Sequence, residues 1–155
     1  MEWTNGSYLI TTGKSQVNIE MVHQFLSASY WAAGIPLPVV KKSIEGSLCF
    51  SVFEEEKQVG FARVITDEAT FAYLGDVFIL EEYRGRGLSK WLMQVILEHP
   101  GLQGLRRFML ATRDAHELYR QFGFENIEDC SRLMQRHNPG VYVADTGNGA
   151  PSSQR

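Results

Sequence analysis

Asp76-Val77-Phe78-Ile79-Leu80-Glu81-Glu82-Tyr83-Arg84-Gly85-Arg86-Gly87-Leu88-Ser89 is the stretch whose local chemistry decides the fold. Its first part ends an almost wholly apolar run over residues 71–80, the pattern of a strand covered on both faces. Its last part opens the clearest helix of the chain, with Leu88, Trp91, Leu92, Val95 and Ile96 at i, i+3, i+4, i+7 and i+8. His99-Pro100-Gly101 closes that helix, because proline cannot continue the ladder. Between strand and helix, Gly85 and Gly87 tolerate conformations that other residues avoid and let backbone approach a ligand. A helix that starts at Leu88 offers unpaired N–H donors and the positive end of its dipole. Arg84, Arg86 and Lys90 add charge beside them. This combination predicts an anion site suited to a pyrophosphate, where arginine can make two parallel hydrogen bonds to phosphate oxygens.

Two other phosphate loops are excluded by spacing. A dinucleotide-binding GxGxxG requires glycine at position 90, which is Lys90, and no GxxxxGK followed by Ser or Thr occurs. Taken alone, Gly-x-Gly carries little weight for function, because glycines that merely turn a strand into a helix give the same pattern.

Outward from this turn, the elements alternate. Residues 8–12 form a short β-rich run ended by Gly13. Asn18 is a good N-cap for a helix carrying Ile19, Val22, Phe25 and Leu26. An aromatic, proline-bearing loop over residues 30–38 leads to a second helix with Val40 and Ile44 inside, stopped near Gly46. Residues 48–53 and 59–66 read as strands around the charged turn Glu54-Glu55-Glu56-Lys57. After the central helix, residues 108–112 read as a strand. Ala115, Leu118, Tyr119 and Phe122 mark a short helix capped by Gly123. Residues 124–127 and 133–135 are expected to close the sheet as an antiparallel pair. The order predicts an α/β (α+β) domain over residues 1–145. The Gly, Ser and Pro tail over residues 146–155 is expected to be disordered.

The chain has 155 residues, 44% apolar and 21% charged, which suits one ordinary globular domain. A formal charge of -3 gives no basic field, so nucleic acid is not an expected partner. Cys49 and Cys130 have no CxxC spacing and no His pair. No metal site is expected, and a reduced, cytoplasmic compartment fits better than a disulfide framework. The N-terminus shows neither a basic nor an apolar signal region. The longest apolar runs fall far short of the ~20 residues that span a bilayer, so no membrane role is expected.

The quoted stretch resembles the cofactor motif of the GNAT N-acetyltransferases, particularly their small, single-domain, bacterial-type members. The motif runs Arg or Gln, two residues, Gly, one residue, Gly or Ala, at the end of the family's fourth strand. Arg84 and Gly87 fit it, while Ser89 stands in place of the last Gly or Ala. Downstream, Leu118-Tyr119-Arg120-Gln121-Phe122-Gly123-Phe124 is similar to the family's other hallmark, Leu-Tyr-x-x-x-Gly-Phe. The element order fits along nearly all of residues 8–136.

The resemblance implies a mixed sheet of about six to seven strands, splayed between the family's fourth and fifth, with about four flanking helices. It implies acetyl-CoA as cosubstrate and a primary amine of a small molecule or peptide as acceptor, acetylated by direct attack. Main-chain groups of Phe78 and Ile79 would hold the pantetheine arm. Amides of Arg84, Gly85, Arg86, Gly87, Leu88 and Ser89 would hold the pyrophosphate. Tyr119 matches the family's general acid, though its place on an apolar stripe also suits a core aromatic. Asp76 interrupts an apolar strand and either receives the amine proton or only pairs with Arg63 on the adjoining strand. His23 and His116 are weaker candidates for catalysis, each more often structural at such positions. Cys49 and Cys130 have no neighbour that would activate a nucleophilic thiolate. Tyr30 and Trp31 either stack on the acceptor or pack on the core. A catalytically silent acyl-CoA-binding module on the same fold is the alternative, and the late strands are candidates for a homodimer contact.

Overall fold

A computed structural model describes residues 1–143, so the tail expected to be disordered lies outside the described residues. Six strands form one sheet in the sequence order β1 to β6: β1 (Glu2–Asn5), β2 (Tyr8–Thr11), β3 (Leu48–Glu54), β4 (Lys57–Thr66), β5 (Phe71–Ile79) and β6 (Arg107–Leu110). The first five pair antiparallel, and β6 joins β5 in parallel. Four α-helices, α1 (Ile19–Ala28), α2 (Leu37–Glu45), α3 (Leu88–Glu98) and α4 (His116–Arg120), flank the sheet. This is the α/β architecture expected, with the sheet covered on both faces.

The period-two alternation of the strands divides the core in two. Phe50, Val52, Ala62 and Val64 point to the face packed by Leu92, Met93 and Ile96 of α3. Their neighbours Cys49 and Phe61 point to the face packed by Val22 and Leu26 of α1 and Val40 and Ile44 of α2. Asn18 caps α1 through Oδ1, which accepts from the Met21 amide at 3.1 Å. In the turn between β4 and β5, the Asp67 carboxylate accepts from the Thr70, Ala69 and Phe71 amides. Those donors, Thr70 first, hold it well below the usual carboxylate range.

Two expectations need correction. Strand β1 has no counterpart in the sequence reading; Trp3, its half-buried member, packs against Phe50 and His99. The closing antiparallel pair does not form. Phe124 turns inward instead, against Phe108 and Tyr119, with its N–H on the Tyr119 carbonyl. Beyond it, Ile127, Leu133 and Met134 stay exposed. These residues present no alternating face to bury, so nothing favours a ladder over solvated backbone. The dimer contact expected of those strands therefore has no strand to carry it.

Candidate active site

The sheet opens at β5. Its pairing with β6 runs from Phe71↔Arg107 to Leu74↔Leu110, where β6 ends, while β5 continues to Ile79. At the point of departure, β5 bulges against β4: the register passes from Arg63↔Gly75 to Phe61↔Phe78. The extra residue takes up the left-handed φ of 53° seen at Asp76, uncommon for a non-glycine side chain inside a strand. A cavity of about 790 Å³ fills the gap. It touches the bulge, the glycine turn through Arg84, the start of α3 through Ser89, α4 through Leu118 and Tyr119, and the α1–α2 loop through Tyr30 and Trp31.

The open side of β5 offers main-chain groups of alternate residues. Leu80 N–H donates to Val59 O at 2.8 Å, so Phe78, two residues earlier, also turns its polar groups toward β4. Gly60 of β4 makes room for this: a Cβ there would lie 3.0 Å from the Phe78 carbonyl and 2.6 Å from Ile79 Cδ1. Val77 and Ile79 therefore face the gap. Ile79 lies on the open side, whereas Phe78 contributes its ring to the wall and its main-chain groups belong to the ladder.

At the turn, Gly85 and Gly87 both have φ of 79°, and nothing lies within 4 Å of where their Cβ atoms would be. Glycine is required here by the backbone angle rather than by crowding. Gly87 caps α3 without any side-chain bond, and the first helical bond is from Trp91 N to Gly87 O. The amides of residues 85–90 consequently meet no acceptor among the described residues. The Arg84 amide is not among these donors, because it is bonded to the Glu81 carbonyl. The arginines also divide. Arg84 lines the cavity, with Nε on the Ile79 carbonyl at 3.0 Å. Arg86 turns away: it donates to the Tyr8 hydroxyl at 2.8 Å and to the Glu82 carbonyl, and lies over the Tyr83 ring. Tyr8 is also the main reason its guanidinium is held above the usual range. Its side chain fastens the turn to β2, so Arg86 can serve an anion only through its main chain.

Tyr119 lies on α4, 9% exposed, on the cavity wall. Burial, with a smaller contribution from Tyr30, raises its phenol above the ordinary tyrosine value. It packs on Phe124 as a core aromatic would while also lining the cavity. Cys49 is buried outside the cavity lining and its thiol is pushed up to about 11 by burial, which rules against a resting thiolate there. His23 is bonded to the Ile35 carbonyl at 3.0 Å and lies outside the cavity lining, as does His116.

Asp76 is the centre of a network across four elements. Arg63 Nε donates to Oδ2 at 2.8 Å, and Trp31 Nε1 donates to Oδ1 at 3.0 Å. Arg63 also donates to Ser47 Oγ at 3.0 Å, and Ser47 Oγ donates to the Ser43 carbonyl at the end of α2. The pair with Arg63 weighed from sequence is present. The Trp31 contact is new, as is Arg113, whose guanidinium lies 3.8 Å from the Tyr30 ring centroid across the cavity mouth. Neither contact has a periodic or motif signal, since each joins a loop to an element far away in sequence.

Comparison with known proteins agrees with this geometry. The model of the GNAT acetyltransferase domain matches residues 45–126. FG08082 of Gibberella zeae, which carries a provisional acetyltransferase name, is 34% identical over 140 residues, covering 76% of this chain and 78% of its own length. The crystal structure of a Xanthomonas campestris pv. campestris protein assigned to the same family is 52% identical, with a TM-score of 0.86 over 88% of this chain and 96% of that one. Glucosamine-6-phosphate N-acetyltransferase of Arabidopsis thaliana shares the fold at 16% identity, with a TM-score of 0.60 over 84% of this chain and 97% of its own. By its splayed sheet, its glycine turn and these matches, the chain belongs to the GNAT acetyltransferase family.

Proposed function

We propose that this protein moves the acetyl group of acetyl-CoA to a primary amine of a small molecule or peptide by direct attack. The observation that carries the reading is the run of unpartnered amides over residues 85–90, which borders the cavity that also holds Tyr119 at its Arg84 and Ser89 lining. A diphosphate fits that run, since it supplies the acceptors those donors lack. Gly85, Arg86, Gly87, Leu88 and Ser89 would hold it through main-chain N–H groups, with the Arg84 side chain adding charge. When bound, the cosubstrate supplies an activated acyl carbonyl and a thiolate leaving group.

The chain's own residues do the rest. Val77 and Ile79 present main-chain groups to an extended arm in place of the missing strand, and an N–H aimed into the gap can support a carbonyl oxygen as it gains charge. An alkylamine with a pKa near 10.4 arrives protonated, so it must lose a proton before attack. Asp76 keeps lone pairs beyond those used by Arg63 and Trp31 and accepts the ammonium N–H. With that first proton on Asp76, nitrogen bonds to the acyl carbon and the carbon–sulfur bond breaks. The Tyr119 hydroxyl gives its proton to the departing sulfur, and the excess proton left on the nitrogen returns to the Tyr119 phenolate as the amide forms. Burial favours that assignment because it keeps the phenol protonated until needed.

The test is release of free thiol from acetyl-CoA in the presence of an amine panel, alongside a thermal shift with CoA alone. Thiol release that depends on amine supports transfer. A thermal shift without release from any amine favours the silent acyl-CoA-binding module instead.

A further inference from the structure

We infer that the acceptor is an aromatic monoamine, a primary amine on a flat aromatic body with no second charge; this rests on the transferase reading above. Four rings run in sequence along one wall of the cavity. Phe78 stacks on Phe25 with centroids 3.8 Å apart and planes at 10°; Phe25 lies 6.2 Å from Trp31, and Trp31 meets Tyr30 edge-on at 5.1 Å. The inner pair belongs to the core on the α1–α2 side. The outer pair does not: Tyr30 is 54% and Trp31 42% exposed. Yet Trp31 is not free to turn, because its indole N–H is fixed on Asp76. An aromatic side chain oriented by its polar edge, with much of its surface uncovered, is a preformed stacking platform.

Charge narrows the class further. Asp76 is matched by Arg63 at 2.8 Å, and Arg113 lies beside Asp114 at 3.8 Å. The other lining cation among the described residues is Arg84, which stands at the anion turn. The acceptor side thus has no unmatched cation to attract a phosphate-bearing amine and no unmatched carboxylate cluster to attract a polyamine. One ammonium can reach the Asp76 lone pairs while the attached ring lies against Trp31.

The experiment measures kcat/KM for 2-phenylethylamine, n-butylamine, spermidine and glucosamine 6-phosphate, with thiol release as readout. A preference for 2-phenylethylamine of roughly ten-fold or more over each of the others is expected, in the range apolar pockets achieve. In Trp31→Ala the preference over n-butylamine should collapse. In Trp31→Phe, which keeps a ring and loses the N–H, it should persist. Preference for the polyamine or the sugar phosphate overturns the inference while leaving the transferase reading intact, as does an unchanged ratio in Trp31→Ala. If no amine is turned over although CoA still raises the melting temperature, the transferase reading falls and takes this one with it.

Discussion

Asp76 and Arg63 meet at 2.8 Å across β5 and β4, and the bulge that brings the carboxylate there also begins the opening of the sheet. Both side chains are largely buried, at 10% and 18% exposure, so neither is tolerated alone. Breaking such a pair leaves an uncompensated charge. Arg63→Met is therefore expected to cost about 3 kcal/mol of stability. Asp76→Asn should cost less than Asp76→Ala. Asparagine tolerates the positive φ and can still accept from Trp31, whereas alanine loses the contacts and strains the backbone by about 1 kcal/mol. Urea midpoints of the three variants and the unaltered protein check the order, and variant midpoints equal to that of the unaltered protein would show that the pair contributes nothing.

The anion turn yields a prediction in which folding and binding separate. Gly87→Ala meets no neighbour but must hold φ at 79°, so it should cost about 1 kcal/mol. Gly87→Asp carries the same strain, and its carboxylate can occupy the amides of α3 intramolecularly. It should fold and not bind CoA. Arg84→Glu should also abolish binding, by placing like charge beside the diphosphate. In the unaltered protein, CoA at 100 times Kd adds about 2.7 kcal/mol, a rise of roughly 5–10 °C in Tm. Arg86→Ala makes the contrast, since its side chain touches Tyr8 and Tyr83 rather than the cavity; it should lower Tm and retain most of the CoA shift. Normal CoA binding by Gly87→Asp would put the diphosphate elsewhere.

The fold was legible because its deciding elements are local. The amphipathic period of α3, the asparagine cap of α1 and the glycine pair all act within a few residues of themselves. The central strands were legible for the same reason, their apolar runs being long and bounded by turns. What could not be read depends on distant partners. Strand β1 carries a single half-buried tryptophan, too little pattern to mark it. The late segment has strand-like composition, but no face for Ile127, Leu133 and Met134 to bury against. Within the site, the motif located the donors, but not that the Arg84 amide and the Arg86 guanidinium are already engaged. The contacts of Trp31 with Asp76 and of Arg113 with Tyr30 depend on the path of two loops, which no local rule supplies.

Tyr119 gives the catalytic prediction. Tyr119→Phe keeps the packing on Phe124 and removes only the hydroxyl, so stability should change little while kcat falls by ~10²-fold or more. Because burial raises its pKa above 10, the phenol stays protonated through the pH range in which a free tyrosine ionises. The alkaline limb of kcat that depends on Tyr119 should therefore lie above pH 10. Steady-state turnover of wild type and variant across the alkaline range tests this, and unchanged turnover in the variant removes Tyr119 from the mechanism.

His99 supplies a prediction about acid stability that is independent of catalysis. It is 7% exposed, packs on Phe50 and Trp3, and its Nδ1 accepts the Gly101 N–H at 3.0 Å. That bond requires the neutral ring, and burial lowers its pKa below the ordinary 6.5, against a smaller opposing pull from Glu68. The unfolded chain therefore binds a proton near pH 6.5 that the folded chain refuses until lower pH. Linkage then gives the sign: the contribution is fully present above about 6.5 and is lost as pH falls through the folded value. Asp67, whose carboxylate is depressed by its turn bonds, adds a loss of the same sign at more acid pH. His99→Asn can keep an acceptor for Gly101 without titrating. It should be less stable than wild type at pH 8, because it fills less of the core, and should lose less stability between pH 7 and pH 5. Urea midpoints of the two proteins over that interval decide it, and parallel curves would mean that His99 titrates alike in the folded and unfolded chains.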